Sequence, residues 1–201
     1  LLKKEVLVDA IDLRGVKANT GNLIEGMEIK GTLGKLYAKA DRIDLGKEIA
    51  RLNKIDLSDT AITLLMNDTT TNKDTTSTAV NWKLMLDQID LDRVAFAMQM
   101  PGDSLRLSTY IDKAGLTDGI VDLGSARYSA SQFLLSGSSL SYDGSYSDPA
   151  PGFDPAHIAL NDVNIRIDSL LYGGRDISAR IKKFSANVRS GLTLSSLTGD
   201  I

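Results

Sequence analysis

The sequence predicts an all-β fold: a mostly antiparallel, extended and curved sheet with little helix. Three observations predict it. Apolar residues recur at every second position over most of the chain, the spacing of a strand with one buried face. The tripeptide Ile-Asp-Leu recurs at Ile11, Ile43, Ile55 and Ile89, and the related Val121-Asp122-Leu123 follows. Turn-forming residues fall between the alternating runs, as hairpins require. The repeats are spaced 32 residues from Ile11 to Ile43, 34 from Ile55 to Ile89 and 32 from Ile89 to Val121. Apolar-charged-apolar is the smallest unit of a half-buried strand, so its diverged repetition points to a sheet array. In each unit the Ile and Leu are expected to point inward and the Asp outward.

Taken in order, Met27, Ile29 and Leu33 share one parity, as do Ile62, Leu64 and Met66. Trp82, Leu84 and Leu86 form the next run, then Val94, Phe96, Met98 and Met100. Leu105, Leu107 and Ile111 follow, then Tyr128 and Ala130, then Val163, Ile165 and Ile167, then Ile177, Ala179 and Ile181. Thr and Ser fill many intervening places, which suits a solvated strand face. Pro101-Gly102-Asp103 marks a hairpin, and Asp143-Gly144, Gly173-Gly174, Asp118-Gly119 and Glu25-Gly26 mark further turns. Leu45, Ile49 and Leu52, at steps of four and three, let residues 47–53 form two helical turns as well as a strand.

The apolar step of two is interrupted by steps of three: Ala40 to Ile43, Leu52 to Ile55, Leu86 to Ile89, Leu123 to Ala126, Leu160 to Val163 and Ile181 to Phe184. In a straight strand such a step moves the apolar set to the other face. A bulge absorbs one residue and restores it. Each step is therefore either a corner in a long bent strand or a loop between two short ones. Residues 67–78 are low-complexity and polar and are expected to form a flexible loop. Residues 145–155 hold every proline but Pro101 and are expected to form an irregular excursion.

The 201 residues suffice for one large β domain or a stretch of a longer array. Patterned sequence reaches both ends, so residues 1–201 read as one β-repeat module excised from a longer protein. With 23 Lys and Arg against 26 Asp and Glu, and no basic cluster, nucleic acid is not an expected partner. There is no cysteine, which fits an exported protein without disulfides and a cytosolic one without thiolate sites equally.

No catalytic, metal or cofactor group is expected. The single histidine, His157, sits by Pro155 without a nucleophile-elbow motif and reads as a bystander in a loop. The repeated Asp residues read as solvated carboxylates that discourage wrong strand pairing, in preference to Ca²⁺ ligands. Asn67-Asp68-Thr69 matches a glycosylation sequon, a triplet common by chance. Trp82 packs with its own parity. Met66, Met85, Met98 and Met100 either fill a core or line an adaptable lipid or peptide groove.

Residues 40–47 (Ala-Asp-Arg-Ile-Asp-Leu-Gly-Lys), 52–64 (Leu-Asn-Lys-Ile-Asp-Leu-Ser-Asp-Thr-Ala-Ile-Thr-Leu) and 190–200 (Ser-Gly-Leu-Thr-Leu-Ser-Ser-Leu-Thr-Gly-Asp) resemble the AsmA/TamB family of bacterial envelope proteins. The resemblance covers most of the chain and is weakest over residues 138–155. It implies a β-taco-like repeat region, a long sheet folded lengthwise into an apolar groove. It also implies a periplasmic location, as part of an inner-membrane-anchored protein whose anchor lies outside these residues. Phospholipid transport to the outer membrane, assembly or secretion of outer-membrane proteins, and an outer-membrane assembly partner are implied with it. Its expected clients are phospholipid acyl chains or outer-membrane proteins. A sheet with one apolar face must cover it, and a half-closed one leaves an apolar floor for a client. Trp82, Leu84, Leu86, Phe96, Met98, Leu105 and Leu107 are expected to form one continuous client surface around the Pro101-Gly102 turn. The alternative reading is a structural β-sandwich or β-solenoid spacer of an exported surface protein.

Overall fold

A computed structural model of the protein describes residues 5–6, 9–21, 26–66, 81–152, 154–173, 176–189 and 191–201. The expected flexible loop at 67–78, with its sequon, lies outside them, as do Glu25 and Gly174 of two expected turns. Strands take up 80% of the described residues, and none of these is helical. In chain order they are β1 (Glu5–Val6), β2 (Ala10–Asn19), β3 (Met27–Asp44), β4 (Ile49–Met66), β5 (Lys83–Met100), β6 (Leu105–Asp122), β7 (Arg127–Asp143), β8 (His157–Gly173), β9 (Asp176–Val188) and β10 (Thr193–Asp200). The helical option for residues 47–53 gives way to a turn and the start of β4. With Ile49 to Leu52 extended, Ala50 turns into the apolar face beside Ile43.

All ten segments belong to one open sheet, nine strands wide. β1 and β2 lie end to end along β3 in a single register. From there the order follows the chain to β10, and every junction is antiparallel except β4 with β5, which is parallel. That parallel pairing sets Ile55, Asp56 and Leu57 beside Ile89, Asp90 and Leu91. The 34-residue spacing seen in the sequence is therefore the register of a ladder.

β3 to β6 are 18 residues each, about three times the usual strand. They run continuously through two kinks that cross the sheet. At the first kink the left-handed residues Gly15, Asp59, Arg93, Gly137 and Asp162 fall at neighbouring places on β2, β4, β5, β7 and β8. Gly and Asp take this conformation more readily than most residues. Gly34, opposite Asp59, is required by close approach: a Cβ there would lie 2.5 Å from the Asp59 Cβ. The second kink carries left-handed Asp118 and Ser169 and a register shift around Ala40.

The direction of folding follows from what is buried. On the apolar face the kinks hold small side chains shut away from water: Thr60, Val94, Ser138, Val163 and Ala186 at the first, Ala130 and Ala179 at the second. Ser138 is 2% exposed. On the other face, the same kinks present solvated Asp59, Arg93 and Asp118. Crowding on one side and exposure on the other mark a sheet that bends toward its apolar face.

Several expected steps of three are therefore corners within strands. Register shifts accompany Ala40 to Ile43, Leu160 to Val163 and Ile181 to Phe184. Leu123 to Ala126 is instead the turn between β6 and β7. Asp118-Gly119, read as a turn, lies inside β6 at the second kink, because its positive φ serves a bulge there. Asp143-Gly144 opens an excursion, strand-free over the described residues 144–152 and 154–156, in place of a tight hairpin.

Candidate functional site: the inner apolar face

The ladder registers join side chains of one face into rows that cross the whole sheet. One row runs from Ile11 through Ala38, Ile55, Ile89, Leu116 and Phe133 to Ile167 and Ile181. The next runs from Leu13 through Leu36, Leu57, Leu91, Ala114 and Leu135 to Ile165 and Phe184. These two rows form a floor between the kinks. From Leu86 at the second kink to Val94 at the first is eight residues, a width of about 26 Å. Beyond each kink the strands continue as a wall.

Among the described residues of β2 to β10, the inner face of floor and walls carries no charged side chain. Its hydroxyls in the interior are turned back on the backbone. Thr60 donates to the Ser58 carbonyl, Ser138 to the Ser136 carbonyl and Thr109 to the Ser139 carbonyl, at 3.0, 3.1 and 2.8 Å. Tyrosines stand near the ends of the walls, where Tyr128 and Tyr172 stack with ring centroids 5.9 Å apart. A phenol suits a boundary because one end is apolar and the other wet.

Among the described residues no second sheet lies over this face. All the described strands belong to the one open sheet, each neighboured along its ladder. The accessible surface is 13341 Å², against about 9,200 Å² for a globular monomer of this mass. The floor residues from β3 to β9 are accordingly only half-buried.

The expected client residues all lie on this face or at its margin, in two groups. Phe96, Met98, Leu105 and Leu107 share the wall beyond the first kink, where Met98 pairs with Leu107. Trp82, Leu84 and Leu86 lie at the other end of β5, with Leu86 buried in the second kink. The hairpin at 101–104 gathers the first group alone. The second is reached across Ile89 and Leu91, because β5 is a single strand of 18 residues.

Charges hold the outer face of the kinks. Arg93 donates through Nε and Nη2 to the Asp59 carboxylate at 2.7 and 3.0 Å, and through Nη1 to Asp92 at 2.6 Å. The hydrogen bond from Arg93 holds the Asp59 carboxyl below its ordinary value of 3.8 and pushes the guanidinium up. At the second kink Asn53 donates to Asp87 at 3.0 Å and Ser131 to Asp118 at 2.9 Å. Sequence reading caught the first kink only at Leu160 to Val163 on β8, although Leu91 to Val94 is an apolar step of three that also signals it. Two of its steps, Leu57 to Thr60 and Leu135 to Ser138, end on hydroxyl residues and so escape an apolar count.

Two further expectations are corrected. Asp44 does not point out to water: it is 7% exposed and accepts from the backbone of Gly46 and Lys47 at 3.1 and 3.0 Å. Its neighbour Leu45 is 47% exposed. The cause is position, since this unit ends β3 and its Asp closes the turn. His157 is not a loop bystander but the first residue of β8, directly opposite Asp143. Its Nδ1 bonds the Asp143 carboxylate at 3.0 Å, and Ser147 Oγ stands 3.5 Å from Nε2. That last distance is at the limit of a hydrogen bond, and Ser147 Oγ is closer to Ser145 Oγ, at 2.8 Å. The three groups clasp the excursion onto the strand pair, with Tyr146 donating to the Pro101 carbonyl at 3.2 Å. Among the described residues no three acidic, His or Cys side chains cluster as metal ligands would.

A comparison with protein-family models and with curated proteins finds no match.

Proposed function

We propose that this chain is a β-groove module of an AsmA/TamB-like envelope protein in the periplasm, whose inner face receives phospholipid acyl chains moving toward the outer membrane. One observation carries the reading: the described inner face of β2 to β10 is uncovered and free of charge, and its interior hydroxyls are spent on its own backbone. An acyl chain asks for no hydrogen-bond partner, so such a face accepts it without leaving polar groups unpaired. An unfolded outer-membrane protein brings backbone amides and carbonyls, which cost about 1–3 kcal/mol each when buried unpaired. That client would have to pair along an edge strand.

The test is photo-crosslinking in the intact envelope protein. A crosslinking residue at Met98 or Leu107 should capture phospholipid, and one at Gln99 or Arg106, the intervening exposed positions, should not. Protein adducts at the first pair would move the cargo to outer-membrane proteins. Equal labelling at both pairs, or none, would remove the groove reading. Native mass spectrometry of the purified chain should show bound lipid independently.

A further inference from the structure

We infer that a cavity beside His157 binds a small organic acid, one that joins a carboxylate and an adjacent hydrogen-bond donor to an apolar body. The cavity measures about 220 Å³ and lies between the excursion that precedes β8 and the neighbouring ends of β8 and β9. Its polar groups belong to the outer face of the sheet, so the inference goes beyond the groove reading and does not depend on it. Ile158 and Leu160 point inward, which turns His157 and Ala159 outward. The amide of Arg189 donates to the Ala159 carbonyl at 3.0 Å, which carries the ladder one residue past β9. Arg189 therefore stands beside Ala159 and diagonal to His157, a separation of about 7 Å.

Both groups are short of partners. Arg189 is exposed, and among the described residues its guanidinium makes no hydrogen bond or ion pair. The His157 side chain is only 7% exposed. Its Nδ1 faces the Asp143 carboxylate at 3.0 Å, an acceptor, so Nδ1 carries the hydrogen and Nε2 of the neutral ring is itself an acceptor. Among the described residues Nε2 has only the 3.5 Å contact with Ser147, whose hydroxyl lies closer to Ser145. A buried acceptor left without a donor is costly.

These two demands and the walls define the ligand. A single planar guanidinium matches a carboxylate, which it can take through two parallel hydrogen bonds. Nε2 asks for an O–H or N–H. Pro149, Pro151 and Ala159 line the rest and offer no side-chain hydrogen bond, so they suit an apolar body. Asp154 also borders the cavity, with its oxygens occupied by the amides of Ala150 and Ala156 at 2.9 Å each. Its charge weighs against a doubly charged phosphate. The volume is below the range of about 300–1,000 Å³ that drug-sized ligands fill, so the ligand is about one amino-acid residue in size. An N-acyl amino acid with an aliphatic side chain carries all three features: the carboxylate, the N–H beside it and the apolar body.

N-acetyl-leucine is the probe. Titrated into isotope-labelled protein at neutral pH, it should shift the amide resonances of Ala150, Gly152 and Ala159 saturably, with a Kd of about 1 mM or tighter. N-acetyl-leucinamide, which lacks the carboxylate, should bind about tenfold more weakly or worse. Arg189→Gln should weaken the original probe to a similar degree, with circular dichroism unchanged because the side chain is exposed. The imidazole also holds the excursion, so its part is read from the ligand. Isocaproate, which lacks the donor, should bind several-fold more weakly than N-acetyl-leucine. Equal binding of the amide, of isocaproate or by Arg189→Gln would overturn the inference. So would the absence of saturable shifts in the folded protein at about ten times the stated concentration.

Discussion

Ile89-Asp90-Leu91 and Ile43-Asp44-Leu45 are the same three residues in two environments. In the middle of β5, Ile89 and Leu91 lie on the floor, and Asp90 stands on the other face beside Asp56. At the end of β3, Asp44 is buried under its own turn and Leu45 is left in water. The difference shows that alternation fixes a face only while the ladder continues. Once the strand ends, the unpaired amides of the turn become the strongest nearby demand. A carboxylate two or three residues back satisfies them. Asp122 repeats the device, and the backbone amide of Ser125 holds its carboxyl below the ordinary range.

The largest expected effect breaks the mid-strand half of this comparison. Ile89→Asp puts a carboxylate on the uncharged floor, flanked by Ile55 and Leu116. It forfeits apolar burial and a desolvated charge together, roughly 3 kcal/mol or more. Denaturant melts should show loss of the folded sheet. Leu45→Asp, the same change at the other unit, should stay within about 0.5 kcal/mol, as exposed sites do. Comparable losses at both positions would show that the two units share one environment.

Next in size is the turn. Asp44→Ala leaves two backbone amides without their acceptor, and should cost about 1–2 kcal/mol. Asp90→Asn should be silent or stabilising by a few tenths of a kcal/mol, because Asp56 and Asp90 are like charges directly side by side. Thermal melts that ranked Asp90 above Asp44 would reverse the assignment of roles.

Much of the sheet was legible because its inner face is so uniformly apolar. Period-two runs mark β4 to β9, and the 34-residue spacing anticipates the pairing of Ile55 with Ile89. Steps of three anticipate part of both kinks. The parallel junction was not legible, since alternation carries no direction. The first kink was hidden where Thr60 and Ser138, small polar residues, occupy its crowded corner. Their hydroxyls are satisfied within two residues along the chain, a local arrangement that hydropathy does not register. The site divided into two groups for the same reason. Sequence proximity placed Trp82 to Leu86 with Phe96, but one long strand carries them to opposite walls.

The smallest effect concerns the kink that both mid-strand units adjoin. Asp59, two residues past Leu57, and Arg93, two past Leu91, form the exposed ion pair of the first kink. Since the folded carboxyl of Asp59 lies below its ordinary value of 3.8, its contribution is fully present above that value. It is lost as pH falls through the lowered one. Above pH 5 the pair should therefore be insensitive to pH, and below pH 4 the kink should loosen. Amide hydrogen exchange at Thr60 and Val94 reads this locally and should accelerate in acid beyond the intrinsic pH trend. Asp59→Asn should remove that acid dependence while preserving the left-handed turn, which Asn also adopts. Unchanged acid sensitivity in Asp59→Asn would mean that the backbone conformation alone holds the corner, and that the ion pair only decorates it.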